Sequence, residues 1–350
     1  MDTKKKNKNY IYLDLPRKEF AKTKKKRNIS NKCLIYTIII VCFCVSFIIY
    51  ELLIKKVPST STTISNPSTS FINSKEKFYF DKYEPEKFHE IQSQLKQECI
   101  DMWGNQREFL NGVVRKLKPK KIVEVGCRFG GSSIVMLNAI DDFKDSKLYS
   151  IDLDTAETVG ECAKKYFPNL YKKWTLFKGK MASEVIEQIG GDIDMAFFDT
   201  THLEPGEILD FLMVLPFLKE NAIVVFHDIA IQITNSAGRN EWASYLIFNG
   251  IRGEKYLPSG DVILKQNIGA TILDSNQKRY YQVYFRMLGG EWNYFPKEEQ
   301  VTQLRQFFKK YYEKDCPECL KIFEEAIEFN RDFVKRNPKP APYTFVSGYL

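Results

Sequence analysis

Two histidines and two aspartates follow directly on two apolar runs. Ile193 to Phe198 leads into Asp199-Thr200-Thr201-His202, and Ala222 to Phe226 leads into His227-Asp228. The chain has three histidines in all. A lone buried histidine is usually a satisfied core residue, but two beside two carboxylates favour chemistry. An imidazole titrates near neutral pH, so His227 or His202 is the natural base for taking a proton from a hydroxyl. Asp199 and Asp228 would orient that base or hold a cation that lowers the hydroxyl's pKa. Asp199, Asp228 and either His227 or His202 could hold magnesium, with oxygens of substrate or water filling the shell. Ile229, which follows Asp228, offers no ligand.

Elements upstream must bring a second reactant to the same place. Ile122 to Val125 reads as a buried strand that carries Glu124, and it breaks into a loop with Gly126, Gly130 and Gly131 before a helical segment from Ser132 to Ile140. Glycines at such a turn let backbone approach a nucleotide-like ligand closely. A carboxylate at that strand end would repel a pyrophosphate and suits hydroxyls with an ammonium or sulfonium group. That favours S-adenosylmethionine over NAD. The next apolar run, Lys147 to Asp154, ends in acid about 20 residues further on, where a ribose-binding carboxylate belongs. Asp152 is the candidate and Asp154 the alternative. Ligands of open α/β sheets lie beyond the carboxyl ends of the strands, so all these groups are expected on one rim.

On these residues, the stretch from Lys120 to about Leu273 resembles a class I S-adenosylmethionine-dependent methyltransferase. Its pattern is closest to the branch of macrocin O-methyltransferases and cephalosporin hydroxylase-like proteins. The resemblance lies in an E-x-G-x-x-x-G-G-S loop (Glu124, Gly126, Gly130, Gly131, Ser132), the acidic Asp152, a D-x-x-H (Asp199, His202) and an H-D (His227, Asp228). It implies an α/β, Rossmann-like sheet of seven strands with helices on both faces and the last strand antiparallel; Asn267 to Leu273 would be one of the late strands. It also implies that Glu124, Gly126, Gly130, Ser132, Asp152, Met181 and Asp199 bind S-adenosylmethionine. Catalysis would fall to His227, Asp199, Asp228 and His202, with Mg2+ held by Asp199, Asp228 and His227. One departure is Gly179-Lys180-Met181, where such proteins often carry Gly-Asp-Ser; Met181 can still pack on an adenine face. The resulting expectation is an O-methyltransferase acting on a hydroxyl of a sugar or glycoconjugate. A hydroxylase-like enzyme on the same fold and an inactive membrane-bound interaction protein are the alternatives.

The net charge of +8 on 350 residues does not mark a nucleic-acid binder. Residues 1–32 hold 12 Lys and Arg against three Asp and Glu, so the remainder carries −1. Residues 1–32 read as a basic cytosolic arm. Cys33 to Tyr50 carries no charge and would span about 27 Å as a helix. Residues 33–54 are therefore expected to form a transmembrane signal anchor, followed by a Ser/Thr-rich stem over 55–77. A methyltransferase domain with helical flanks follows over 78–337, and a tail over 338–350. The charge bias puts the amino terminus in the cytosol and the domain on the luminal side of an endomembrane such as the Golgi. A cytosol-facing domain is the alternative. Expected partners are a small-molecule or glycan acceptor and the membrane through one helix, with no nucleic acid. Of the eight cysteines, Cys99 and Cys162 fall in helical stretches and Cys127 in the glycine loop. Cys316-Pro-Glu-Cys319 reads as a capped helix start with a local disulfide. Glu84 to Leu117 reads as helix broken near Gly104 and forming part of a lid. The insertion from Ile229 to Val262, with Trp242 and Tyr245, is placed as a substrate loop.

Overall fold

The computed structural model describes residues 78–234, 241–260 and 266–337. The basic arm, the span at 33–54, the stem and the tail lie outside the described residues, as do Asn235, Ser236 and Arg239 of the insertion. Among the described residues, no helix is long and apolar enough to cross a membrane.

Seven strands make one sheet: β1 (Lys121–Val125), β2 (Lys147–Asp152), β3 (Trp174–Lys178), β4 (Ile193–Phe198), β5 (Leu218–His227), β6 (Gly253–Tyr256) and β7 (Ile268–Leu273). Their order is β3-β2-β1-β4-β5-β7-β6. The first five are parallel, whereas β7 runs antiparallel to both β5 and β6. The order reverses between β1 and β4, where the chain returns to the sheet's centre, and a crevice there is the expected ligand site. β5 starts four residues before its apolar run, because Leu218 already pairs with Ile193 ahead of a register shift in β4.

Alternation along the strands feeds two cores. Val123, Val125, Ala196, Phe198, Val224 and Phe226 face one side. Helices α5 (Ala182–Ile189), α6 (Gly206–Val214), α8 (Ala243–Gly250), α9 (Tyr281–Arg286), α10 (Glu298–Tyr312) and α11 (Pro317–Arg336) contribute to that core. Ile122, Leu148, Met195, Phe197 and Val225 face the other. There they meet α1 (Pro85–Gln92), α2 (Gly104–Leu117), α3 (Gly131–Ala139) and α4 (Glu161–Tyr166). The helix α7 (Ile231–Thr234) is a single short turn after β5. Sequence α3 is apolar nearly all round, Gly-Ser-Ser-Ile-Val-Met-Leu-Asn-Ala, and every residue but Asn138 is buried. That is the signature of a helix packed on several sides. It is held between the sheet and α2.

The glycine loop is shaped by backbone contacts that tolerate no side chain. Gly126 has φ +84°, and a Cβ there would lie 2.1 Å from the Asp199 carbonyl oxygen. Its N–H donates to the Ile151 carbonyl at 2.8 Å. Gly131 opens α3 with the chain preceding β1 laid against it, so that a Cβ would lie 2.3 Å from the Cys99 carbonyl oxygen. Cys99 is joined to Cys162 by a disulfide across 63 residues, with Cα atoms 5.8 Å apart. The stretch from Gln97 to Trp103 is thereby stapled over the loop. Cys316 and Cys319 form a second, local disulfide, as expected at the start of α11.

Candidate active site

The ends of β4 and β5 bring Asp199, His202, His227 and Asp228 together. His202 Nε2 lies 2.9 Å from Asp228 Oδ2 and 3.5 Å from Asp199 Oδ1. His227 Nδ1 lies 3.1 Å from Asp199 Oδ1 and 3.6 Å from Asp228 Oδ2. The two rings are 6.5 Å apart. His202 and Asp228 both adopt left-handed backbone, at φ 52° and 55°. Non-glycine residues seldom adopt it, and it persists where surrounding contacts enforce it.

Those contacts are specific. The other nitrogen of His202, Nδ1, is 3.1 Å from Ser244 Oγ, and the Ser244 hydroxyl donates to the fully buried Glu207 carboxylate. The backbone N–H of Ala243 donates to the His202 carbonyl at 3.1 Å. Asn267 donates its amide to Asp228 and accepts the Ala230 N–H at 2.6 Å, so the start of β7 fixes the end of β5. His227 Nε2 is 3.1 Å from Gln106 Oε1, which also accepts the Trp103 N–H at 3.0 Å.

Electrostatics make the cluster two opposed pairs. Burial disfavours a charge on His227, but the Asp199 and Asp228 carboxylates outweigh it and lift its pKa to about 9. His202 behaves alike: burial opposes the charge, and Asp228, then Glu207, hold the ring's pKa well above its ordinary value. Burial works against ionised Asp228 too, yet the two imidazoles keep its pKa far below the usual carboxylate range. At neutral pH both rings therefore carry a proton. The expectation of an imidazole titrating near neutrality is corrected by these carboxylate partners.

Of the two expected metal sets, the structure groups the one with His202. Donor atoms of Asp199, His202 and Asp228 all lie within 4.8 Å of one another. His227 stands beside that group, with Nδ1 toward Asp199 and Asp228 and Nε2 toward Gln106. Two carboxylates and an imidazole form a donor set suited to a small divalent cation.

The residues expected to touch a nucleoside divide differently. Glu124 is completely buried and accepts hydrogen bonds from Ser132 Oγ at 2.5 Å, Ser133 Oγ at 2.6 Å and the Ser150 hydroxyl. Burial raises its pKa to about 7, against the pull of the three serines. It therefore braces the glycine loop from beneath instead of meeting a ligand, and Ser132 is spent on it. Asp152 accepts the N–H groups of Cys127 at 3.0 Å and Arg128 at 2.9 Å on one oxygen, and that of Asp154 at 2.9 Å on the other. A carboxylate has about four acceptor positions, so capacity for a ribose hydroxyl remains. Asp154 is occupied with the Ala156 N–H. Met181 caps α5 and is 4% exposed, within the core under the rim. Gly126 and Gly130 take positive φ, 84° and 93°, at the loop's two bends.

Three residues without a sequence signal enter the site from before β1. Gln106 reaches His227. Asp101 lies under the electrostatic influence of Asp199, His227 and Arg128. Its burial, reinforced by Asp199, raises its pKa to about 6. Arg107 is 5% exposed. No motif covers this stretch: Asp101 precedes α2, and the helix opens with the polar run Gly-Asn-Gln-Arg-Glu.

Residues 123–229 match the family model of a methyltransferase domain. No curated protein matches the chain. Solved structures similar to it include the O-methyltransferase TomG from Streptomyces achromogenes, involved in tomaymycin synthesis and solved with S-adenosylmethionine. It is 16% identical, with 57% of this chain and 91% of that one covered and a TM-score of 0.39. An O-methyltransferase from Bacillus cereus with S-adenosylhomocysteine is 14% identical over 56% of this chain and 92% of that one, TM-score 0.40. The Podospora anserina methyltransferase PaMTH1, also bound to S-adenosylhomocysteine, is 15% identical over 54% and 86%, TM-score 0.39.

Proposed function

We propose that this chain is an S-adenosylmethionine-dependent O-methyltransferase, anchored in an endomembrane and methylating a hydroxyl of a sugar or glycoconjugate on the luminal side. The observation that carries the activity is the His-Asp cluster at the ends of β4 and β5, beside the glycine loop and inside the methyltransferase segment. The loop, with Asp152 beneath it, would hold the nucleoside. Asp199, His202 and Asp228 would hold a divalent cation.

S-adenosylmethionine, when bound, supplies an electrophilic methyl group. A divalent cation would supply Lewis acidity that makes an acceptor hydroxyl more acidic. The chain's own work is alignment, since methyl transfer is an in-line displacement and holding two reactants in register accounts for much of its rate. A base must be neutral, so His227 can accept a hydroxyl proton only after losing the one that Asp199 now stabilises. Gln106, on its other nitrogen, fixes the ring plane.

The membrane reading is supported by the uncharged run from Cys33 to Tyr50 and the basic residues before it. The luminal reading is supported further by two disulfides, which persist in oxidising compartments and are rare in the cytosol. The hydroxylase-like and non-catalytic alternatives have no specific observation in their favour.

The test is calorimetric titration of the full chain in detergent with S-adenosylmethionine, S-adenosylhomocysteine and NAD, with and without magnesium. Binding of the first two and not of NAD is expected, with magnesium binding that Asp228→Ala removes. Absence of binding by folded protein would overturn the methyltransferase reading.

A further inference from the structure

We infer that the strap preceding β1 is an amino-acid clamp, in which Arg107 receives the carboxylate and Asp101 the ammonium of the methionyl end of S-adenosylmethionine. The inference rests on the methyltransferase reading and adds to it the residues that recognise one end of the ligand.

Both side chains line one cleft of about 450 Å³, together with Gln97, Ile100, Met102 and Trp103. Arg107 is 95% shielded by the count of its 5% exposure, and its Nε and Nη1 hydrogens have no acceptor. Asp101 Oδ1 is likewise buried without a donor. Buried charged groups left unpaired are among the costliest features a fold can hold, so a pair of opposite sign on one cleft wall points to a partner. The two charges attract each other, yet no hydrogen bond satisfies Asp101 Oδ1 or Arg107 Nε and Nη1. A ligand that serves both must present an anion and a cation a few bonds apart. An α-amino-acid group does so, and its carboxylate matches the fork of a guanidinium.

The location agrees with that assignment. Asp101 Oδ1 would be 2.7 Å from a Cβ on Gly131, which places it against the first residue of α3 and the end of the glycine loop. Arg128 of the loop and Asp199 and His227 of the rim are the other charges that act on it. The strap is fixed on one side by the Cys99–Cys162 disulfide and on the other by Gln106, which binds His227. Its orphaned groups are therefore held in place before any ligand arrives.

The experiment compares S-adenosylhomocysteine with 5′-methylthioadenosine, which shares the thioadenosine but lacks the amino-acid end. Calorimetric titration uses the full chain in detergent, as wild type, Arg107→Gln and Asp101→Asn. Each variant is expected to weaken S-adenosylhomocysteine about tenfold to a hundredfold, the loss of a charge-assisted contact. Affinity for 5′-methylthioadenosine should change less than about twofold on the same scale. The ratio of the two affinities within one variant does not depend on the fraction of protein folded. Equal losses for both ligands, or no loss for either, would overturn the clamp while leaving the cofactor reading intact. A wild type that binds neither ligand would overturn both.

Discussion

At the scale of single residues, Glu124 and Asp228 show how position decides the work of a carboxylate. Glu124 alternates with Val123 and Val125, so the pleat turns it into the core, where three serine hydroxyls receive it. Its folded pKa of about 7 lies above the ordinary 4.5. The folded state therefore holds a proton that the unfolded state releases, and stability falls as pH rises between those values. Glu124→Gln mimics the protonated acid. Relative to wild type it should gain about 3 kcal/mol between pH 4.5 and 7 and little above that. Urea unfolding midpoints measured across that range test this; parallel profiles for the two proteins would sink it. Asp228 faces the rim and two imidazoles instead. Asp228→Ala should weaken Mn2+ binding at least about tenfold, as loss of a ligand costs no less than loss of its supports. S-adenosylhomocysteine affinity should be nearly unchanged in the same titration, and a joint collapse of both would argue against a distinct cation site.

At the scale of elements, the strap and the glycine loop act as one unit. A disulfide across 63 residues joins the strap to Cys162 of α4, whose N–H donates to the Phe129 carbonyl of the loop. Replacing Cys99 and Cys162 together by serine should cost about 4 kcal/mol of stability in the chain-entropy picture. The same change at Cys316 and Cys319, three residues apart, should cost much less. Denaturant unfolding of both double variants checks the contrast, and equal losses would contradict it. The parallel strands β1, β2, β4 and β5 and the four rim residues are legible in sequence because apolar runs ending in polar clusters report directly on a parallel sheet, whereas α8 and β6 lie in the stretch read as a substrate loop. The burial of Glu124 is not legible in sequence, because proximity to a strand end says nothing about which face a residue takes; Ser132 and Ser133 nearby are the available hint. Asp101, Gln106 and Arg107 were not legible, since they reach the site only through packing between segments far apart in the chain. The pairing of Cys99 with Cys162 was hidden for the same reason.

At the scale of the whole molecule, the chain separates its charge from its chemistry. The nine-charge excess lies in residues 1–32, ahead of the uncharged run, and the domain that follows is close to neutral. In the proposed reading residues 33–54 form a signal anchor, and such a charge bias orients it with its basic end in the cytosol. Microsomes carrying the full chain should retain it through alkaline carbonate extraction. Protease added outside should trim only a short amino-terminal piece, and digestion of the domain in intact vesicles would reverse the assigned orientation.

Gln106 links the strap to the His-Asp cluster. It stands next to Arg107 on α2 and holds the ring of His227 through Nε2. A ligand held by the strap as proposed would act on the orientation of that imidazole, and through Asp199 on the carboxylates proposed to hold a cation. Thermodynamic linkage makes such an effect reciprocal: whatever factor the nucleoside imposes on cation affinity, the cation imposes on nucleoside affinity. One amide side chain would then make the two occupancies cooperative, so that the site fills as a set.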